Sequence, residues 1–290
     1  MKWTGRRESD NVEDQRGNGG GGGSFGGGLP GGLLTKGGLG TVVVVLLISW
    51  VTGTNPLTLL QQTDLSGGQS QQVSTTSSPE EEELAKFVKV ILASTEDVWH
   101  QQMKDYRNPT LVLFSGQTQS GCGSASSSTG PFYCSEDERL YIDLGFYQEL
   151  KDQLNAPGDF AQAYVVAHEV GHHVQHMLGI TDKVHSMQGQ LSEEEGNKLS
   201  VKLELQADFL AGVWAHYAKD DHNFIEPDDF QEAINAATAI GDDHLQKQFQ
   251  GQVVPDSFTH GTSAQRVRWF TKGFQTGDTA QGDTFSATEL

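Results

Sequence analysis

The sequence predicts an α+β fold, mainly α, over residues 79–290. Three observations predict it: helical apolar periodicity at 159–178 and again at 192–219, two short β-branched and aromatic runs at 110–114 and 139–144, and low-complexity composition confined to the N-terminal part of the chain. A chain of 290 residues has room for one ordinary domain plus appendages.

The appendages come first. From Gly17 to about Gly40 the chain is glycine-rich with few core-forming residues, so residues 1–38 read as a tail that serves as a flexible spacer. The run from Leu39 to Val51 is uncharged and strongly apolar. Extended to Leu60 it reaches about 20 residues, the length that crosses a bilayer as a helix. Trp50 suits the membrane interface, while Pro56 and the polar Thr52 to Asn55 weaken the far end. A core strand, a core helix and a cleaved signal peptide are the rival readings. The polar flanks disfavour the first two, and the long preceding tail disfavours the third. Lys2, Arg6, Arg7, Arg16 and Lys36 precede the run and no Lys or Arg follows before Lys86. The positive-inside rule therefore predicts one transmembrane helix at 39–60, with the N-terminus in the cytoplasm and the remainder exported. Residues 61–78 form a polar linker rich in Ser, Thr and Gln.

The domain at 79–290 opens with Pro79 and four glutamates, a helix start that runs to about Tyr106. The runs Thr110 to Phe114 and Arg139 to Leu144 predict strands of a short sheet. Cys122 and Cys134, the only cysteines, lie between them. In an exported domain such a pair most simply closes the Gly/Ser-rich loop as a disulfide, the competing metal clip lacking nearby histidines.

The next helix carries the chemistry. Phe160, Tyr164, Ala167, Gly171, Val174 and Leu178 step by three or four, with Asp159 as N-cap and Gly179 as C-cap. Within it stands His168-Glu169-Val170-Gly171-His172. A spacing of four places both imidazoles on one helical face, about 6 Å apart along the axis, able to grip one Zn²⁺. Glu169 is placed to hold and deprotonate a water beside the ion, which is the arrangement of zinc peptidases. Gly171 costs a helix about 1 kcal/mol relative to Ala, so it predicts another element approaching closely there. His173 and His176 lack this support and read as surface residues or as groups supporting the ligands, as His100, His185, His216, His222 and His244 read as surface or capping residues.

A catalytic zinc site needs a third protein ligand. The extended pattern H-E-x-x-H-x-x-G-x-x-H fails, because Gln175 and Leu178 occupy its last two positions. The alternative is a Glu from the following helix, which starts at Ser192-Glu193-Glu194-Glu195 and runs to about Lys219. In it Glu204 and Asp208 form an i,i+4 carboxylate pair inside the apolar stretch Leu203 to Ala211, and carboxylates so placed need partners. Glu204 is the expected third ligand. Asp208 is expected to accept a hydrogen bond from the far ring N–H of a ligating histidine. Further on, Thr259 to Phe270 predicts a loop entering a helix, where His260 or Arg266 is placed to stabilise an oxyanion. An ordinary surface basic pair is the equal alternative on spacing alone.

Five stretches together resemble the bacterial neutral zinc metallopeptidases: Arg6 to Asp14, Gly130 to Cys134, His168 to Gln175, Glu204 to Asp208 and Thr259 to Phe270. The resemblance implies a membrane-anchored, zincin-like domain, distantly similar to CAAX prenyl endopeptidases and other gluzincins, with a short sheet beside the active-site helix whose edge strand holds substrate by backbone pairing. It strengthens His260 and Arg266 as catalytic groups, although Gly261 stands where those endopeptidases usually have Pro. It also implies a single-pass protein of the bacterial inner membrane with its catalytic domain in the periplasm. The expected function is zinc-dependent endopeptidase, acting on a peptide or protein substrate with no small-molecule cofactor. A formal charge of −19 argues against nucleic acid and against docking to anionic lipid. Two other classes stay open: a catalytically silent, zinc-stabilised binding or assembly protein, and a zinc amidase acting on a cell-wall peptide.

Overall fold

The computed structural model describes residues 1–17, 77–221 and 224–290, which form an α+β, mainly helical domain. In chain order its elements are β1 (Val12–Asp14), α1 (Pro79–Gln102), β2 (Thr110–Phe114), β3 (Gln117–Ser120), β4 (Gly123–Ser126), β5 (Phe132–Cys134), β6 (Arg139–Asp143), α2 (Gly145–Asp152), α3 (Asp159–Met177), α4 (Ile180–Gln188), α5 (Glu193–Ala218), α6 (Asp229–Ala239), α7 (Asp242–Gln250) and α8 (Ser263–Thr276).

The sheet is built around β2 and β6, paired in parallel with Leu111 opposite Leu140 and Leu113 opposite Ile142. Side chains on a strand alternate faces, and both faces here are buried. Leu111, Leu113, Leu140 and Ile142 enter the main core with the helices, while Val112, Phe114 and Tyr141 form a smaller cluster on the opposite face with Cys134 and Phe132. The strand order is β1-β2-β6-β5, with β5 antiparallel to β6 at one edge. A disulfide joins Cys134 at the end of β5 to Cys122 in the tip of the β3–β4 hairpin, as expected for that pair.

Residues 1–17 correct the expected organisation, because they are not a tail apart from the domain. β1 pairs in parallel with β2, Val12 opposite Leu111 and Asp14 opposite Leu113, and so forms the other edge of the sheet. Three residues with one apolar side chain carry no period to read, so this strand was not legible in the sequence. The expected anchor at 39–60 lies outside the described residues, as does the linker through residue 76. Among the described residues no helix is long and apolar enough to cross a membrane.

The helical layer is organised on α5. Ser192 caps it in a reciprocal box with Glu195, as its sequence predicts. α8 crosses α5 at contact distance: a Cβ on Gly273 would lie 2.0 Å from the Phe209 carbonyl oxygen, and one on Gly212 would lie 2.1 Å from that of Phe270. Only glycine at both positions lets the two backbones meet, and that contact fixes where the loop before α8 is held. α3 packs on α5, α6 and α1. It starts one residue differently from expectation. Asp159 is its first residue rather than its cap, and its carboxylate takes the Met1 ammonium at 3.1 Å, while Glu232 of α6 accepts the Phe160 N–H at 3.0 Å. α1 ends at Gln102, short of Tyr106, when Met103 turns to extended backbone.

His173 is not a surface residue. It is fully buried, its Nε2–H donates to the Arg107 carbonyl at 2.7 Å, and its Nδ1 accepts from the Tyr133 hydroxyl at 3.0 Å. A neutral ring with its proton on Nε2 satisfies both bonds, which tie α3 to β5 and to the segment entering β2. Burial pushes the His173 pKa down to about 4. A depressed folded-state value gives stability that is complete above the ordinary histidine pKa and is lost as pH falls from there toward the folded value. The full loss is about 3 kcal/mol. In urea titrations of metal-free protein, the stability gap between wild type and His173→Phe is expected to narrow from about pH 7 to pH 5. A gap that stays constant would show that His173 is not held neutral.

Candidate metal centre

The two ring nitrogens predicted to face one point do so. His168 Nε2 and His172 Nε2 lie 3.2 Å apart on one face of α3. From α5, the Glu204 carboxylate places Oε2 3.1 Å from His168 Nε2 and Oε1 3.4 Å from His172 Nε2. These three residues form a group whose donor atoms all lie within 4.8 Å of one another.

Hydrogen bonds behind the rings decide what those nitrogens can do. His168 Nδ1 lies 2.8 Å from Asp208 Oδ1, a carboxylate that can only accept, so the proton sits on Nδ1. His172 Nδ1 lies 2.8 Å from Gln175 Oε1, and the Gln175 amide is oriented by its NH2, which donates to the Leu203 carbonyl at 2.7 Å and to Gln206 Oε1 at 3.1 Å. With each Nδ1 engaged behind its ring, each Nε2 is the atom turned to Glu204, able to offer a lone pair to a cation or, when protonated, a hydrogen to the carboxylate. The trio holds together only with positive charge in it, either a ring proton or a cation among the three donors. Two imidazoles and one carboxylate are also a donor set suited to zinc. The residues present fit the ion.

Electrostatics agrees. Burial by itself would lower the His168 pKa, but Asp208 and Glu204 outweigh it and raise the ring to about 10. Burial would raise Glu204, but His172 and His168 bring it well below the ordinary carboxylate range. The cluster thus draws positive charge, which a proton on His168 supplies when no metal does, and metal binding releases that proton.

Glu169 stands apart from this trio. It is 8% exposed, and burial raises its pKa despite the two histidines. β5 contacts α3, and the Tyr133 backbone favours the charged form of Glu169.

Asp208, fully buried, is the hub behind His168. Besides the ring, its Oδ1 accepts from the Tyr164 hydroxyl at 2.5 Å and from Arg266 Nη2 at 2.9 Å, while Oδ2 accepts from Arg266 Nε at 2.9 Å. Arg266 is therefore not where an oxyanion donor must be. It is 2% exposed and meets His168 only at Nδ1, 3.5 Å away, the side turned from Glu204. Its place on α8, pressed onto α5, turns its fork toward a buried carboxylate and away from the open face. His260 has the opposite disposition. Its side chain is 41% exposed, and it is close enough to Glu204 for each to shift the other's titration.

Sequence reasoning missed what holds His260. Asp242, at the start of α7, accepts the backbone N–H groups of Thr259, His260 and Gly261 on Oδ2 at 2.7 to 3.0 Å, and its Oδ1 lies 3.2 Å from His260 Nδ1. Burial would lower the His260 pKa, but Asp242 raises it. No local pattern links an Asp to a His eighteen residues later. Gln175 was findable, since it lies one turn beyond His172 on the same helix.

Gly171 shows why the two helices can share one ion. A Cβ there would lie 2.9 Å from the Ala207 carbonyl oxygen and 3.1 Å from its Cα, backbone that lies between Glu204 and Asp208. The close approach expected from the sequence is thus α5 itself. Gly171→Ala is expected to improve helix propensity yet destabilise the protein by about 1–3 kcal/mol through overpacking. Zinc affinity should fall with it, measured by chelator competition, because the added methyl pushes Glu204 from the histidines. Unchanged affinity would mean the helix contact does not set the ligand spacing.

The comparisons with known proteins follow this geometry. The chain is 54% identical to the uncharacterized protein YpfJ of Escherichia coli strain K12 over 292 residues, covering 98% of this chain and 99% of that one. It is 45% identical to the uncharacterized protein Rv2575 of Mycobacterium tuberculosis strain H37Rv over 207 residues, 68% of this chain and 69% of that one. No solved structure matches. A family model described as "Putative neutral zinc metallopeptidase" matches residues 1–285, a span that takes in every group converging on Glu204 and the histidine pair, and the chain belongs to that family.

Proposed function

We propose that the protein is a zinc-dependent endopeptidase with a zincin-like site. One observation carries this reading: two imidazole nitrogens and a carboxylate converge from α3 and α5 while a second carboxylate, Glu169, is buried beside them and left out of the cluster. Metal binding alone does not require that group. Hydrolysis does.

His168, His172 and Glu204 would hold the ion. A bound zinc ion supplies a Lewis acid that polarises a scissile carbonyl and acidifies water. Glu169 takes the proton of the attacking water and later delivers it to the leaving amine; its raised pKa suits both transfers. His260, oriented by Asp242, which also raises its pKa, donates to the oxygen on which negative charge develops. Arg266 and Asp208 fix the orientation and tautomer of His168. β5, at the sheet edge beside Glu169, offers backbone groups to an extended peptide.

Elemental analysis tests the metal: wild type is expected to carry one zinc per chain and His168→Ala to lose it. A peptide-library digest read by mass spectrometry tests the reaction. An endopeptidase gives a consistent cleavage register with internal cuts; a silent binding protein gives none, and an amidase for cell-wall peptides leaves ordinary peptides intact.

A further inference from the structure

The N-terminal run Arg6 to Asp14 has its partners inside the catalytic domain. Arg7 donates to Glu96 Oε2 at 3.1 Å and to Asp97 at 2.8 Å, and Ser9 and Asn11 donate to Glu96 Oε1 at 2.5 and 2.8 Å. Glu96, on α1, is only 2% exposed, and residues 7–11 supply these donors to it. β1 then completes the sheet edge, and Gln15 N–H continues the ladder to the Leu113 carbonyl at 2.8 Å.

The described residues that flank 18–76 meet. Arg16, with its side chain 4% exposed, reaches Glu82 Oε1 at 3.1 Å and the Glu81 carbonyl at 3.3 Å in the first turn of α1, while also pairing with Asp14 at 2.6 Å. The described residues on either side of 18–76 therefore lie on the same corner of the domain.

The positive charges that predicted a cytoplasmic N-terminus also have another use. Lys2 lies 3.8 Å from Glu226, Arg6 2.5 Å from Asp221, and Arg7 and Arg16 make the pairs above. Four of the five cations preceding the apolar run are thus matched to carboxylates of the domain.

We infer that residues 1–17 are a structural part of the peptidase domain and occupy the same compartment as its active site. A polypeptide that crosses a bilayer once between β1 and β2 cannot hydrogen-bond those strands to each other. This replaces the expected topology of a cytoplasmic tail, a single span and an exported domain. It is independent of the proposed catalytic activity.

The test uses the full chain in its own cells. Single variants Asp10→Cys and Lys151→Cys, both at exposed positions, are treated with a membrane-impermeant maleimide in intact spheroplasts and again after lysis, with each labelled peptide identified by mass spectrometry so that Cys122 and Cys134 are read separately. Both added cysteines are expected to label together, either in both samples or only after lysis. One labelling in spheroplasts and the other only after lysis overturns the inference. A second variant, with 18–76 replaced by a flexible linker of about ten Gly/Ser residues, is expected to unfold cooperatively within a few degrees of the full chain. Loss of its folded transition counts against the ends meeting at one corner.

Discussion

Glu169→Gln is expected to abolish peptide hydrolysis while the protein keeps its zinc. Glutamine matches glutamate in volume and reach, so the packing around a residue 8% exposed is retained. It removes only the ability to take and return a proton. General acid–base groups contribute about 10²–10⁴ to rate, and one that serves both the water and the leaving amine belongs near the top of that span. Zinc content should not change, because the convergent donors are His168, His172 and Glu204. Glu204→Gln makes the contrast: it is expected to lose metal and activity together, since the amide carries one neutral oxygen where the carboxylate gave two charged ones. The pair of variants separates base from ligand. Turnover within a few-fold of wild type in Glu169→Gln would remove Glu169 from the chemistry and leave the metal site standing. Loss of zinc in the same variant would show that this carboxylate ligates after all.

The difference between these two acids was legible before the structure, and the reason is local. His168, Glu169 and His172 sit on one helix, so a period of 3.6 settles their relative directions. Glu204 was legible because a carboxylate pair among Leu203, Leu205 and Ala207 has no solvent to turn to. Gly171 was legible as a close approach because a helix seldom keeps a glycine in its middle without a packing reason. What failed was everything joined across long separations. His173 looks like any helix histidine until the Arg107 carbonyl and the Tyr133 hydroxyl arrive from far upstream. β1 has too few residues to show alternation, and its partner strand lies about a hundred positions later. Arg266 illustrates the limit best. Its spacing from His260 was readable, but whether its fork met solvent, oxyanion or a buried carboxylate depended on how α8 crosses α5.

That crossing sets the second large effect, Asp208→Ala. Asp208 has no exposure and receives four donors: the His168 ring, the Tyr164 hydroxyl and two nitrogens of Arg266. Burial would raise its pKa, but Arg266 and His168 hold it below the ordinary range, so the folded protein contains it as the anion. Removing it leaves the Arg266 cation buried without a counter-charge, at a cost of about 3–5 kcal/mol. His168 also loses the acceptor that keeps its proton on Nδ1, and groups in that position are worth about 10–100-fold in metal affinity. Urea unfolding and chelator competition measure the two losses. A double variant, Asp208→Leu with Arg266→Met, distinguishes them, since replacing both members of a buried ion pair with apolar groups of similar size is often neutral for stability. Most of the unfolding free energy is expected to return in that variant, while zinc affinity stays reduced because the His168 Nδ1–H still has no acceptor. Recovery of both together would mean that Asp208 acts on the metal only by holding the fold, and that the tautomer of His168 does not depend on it.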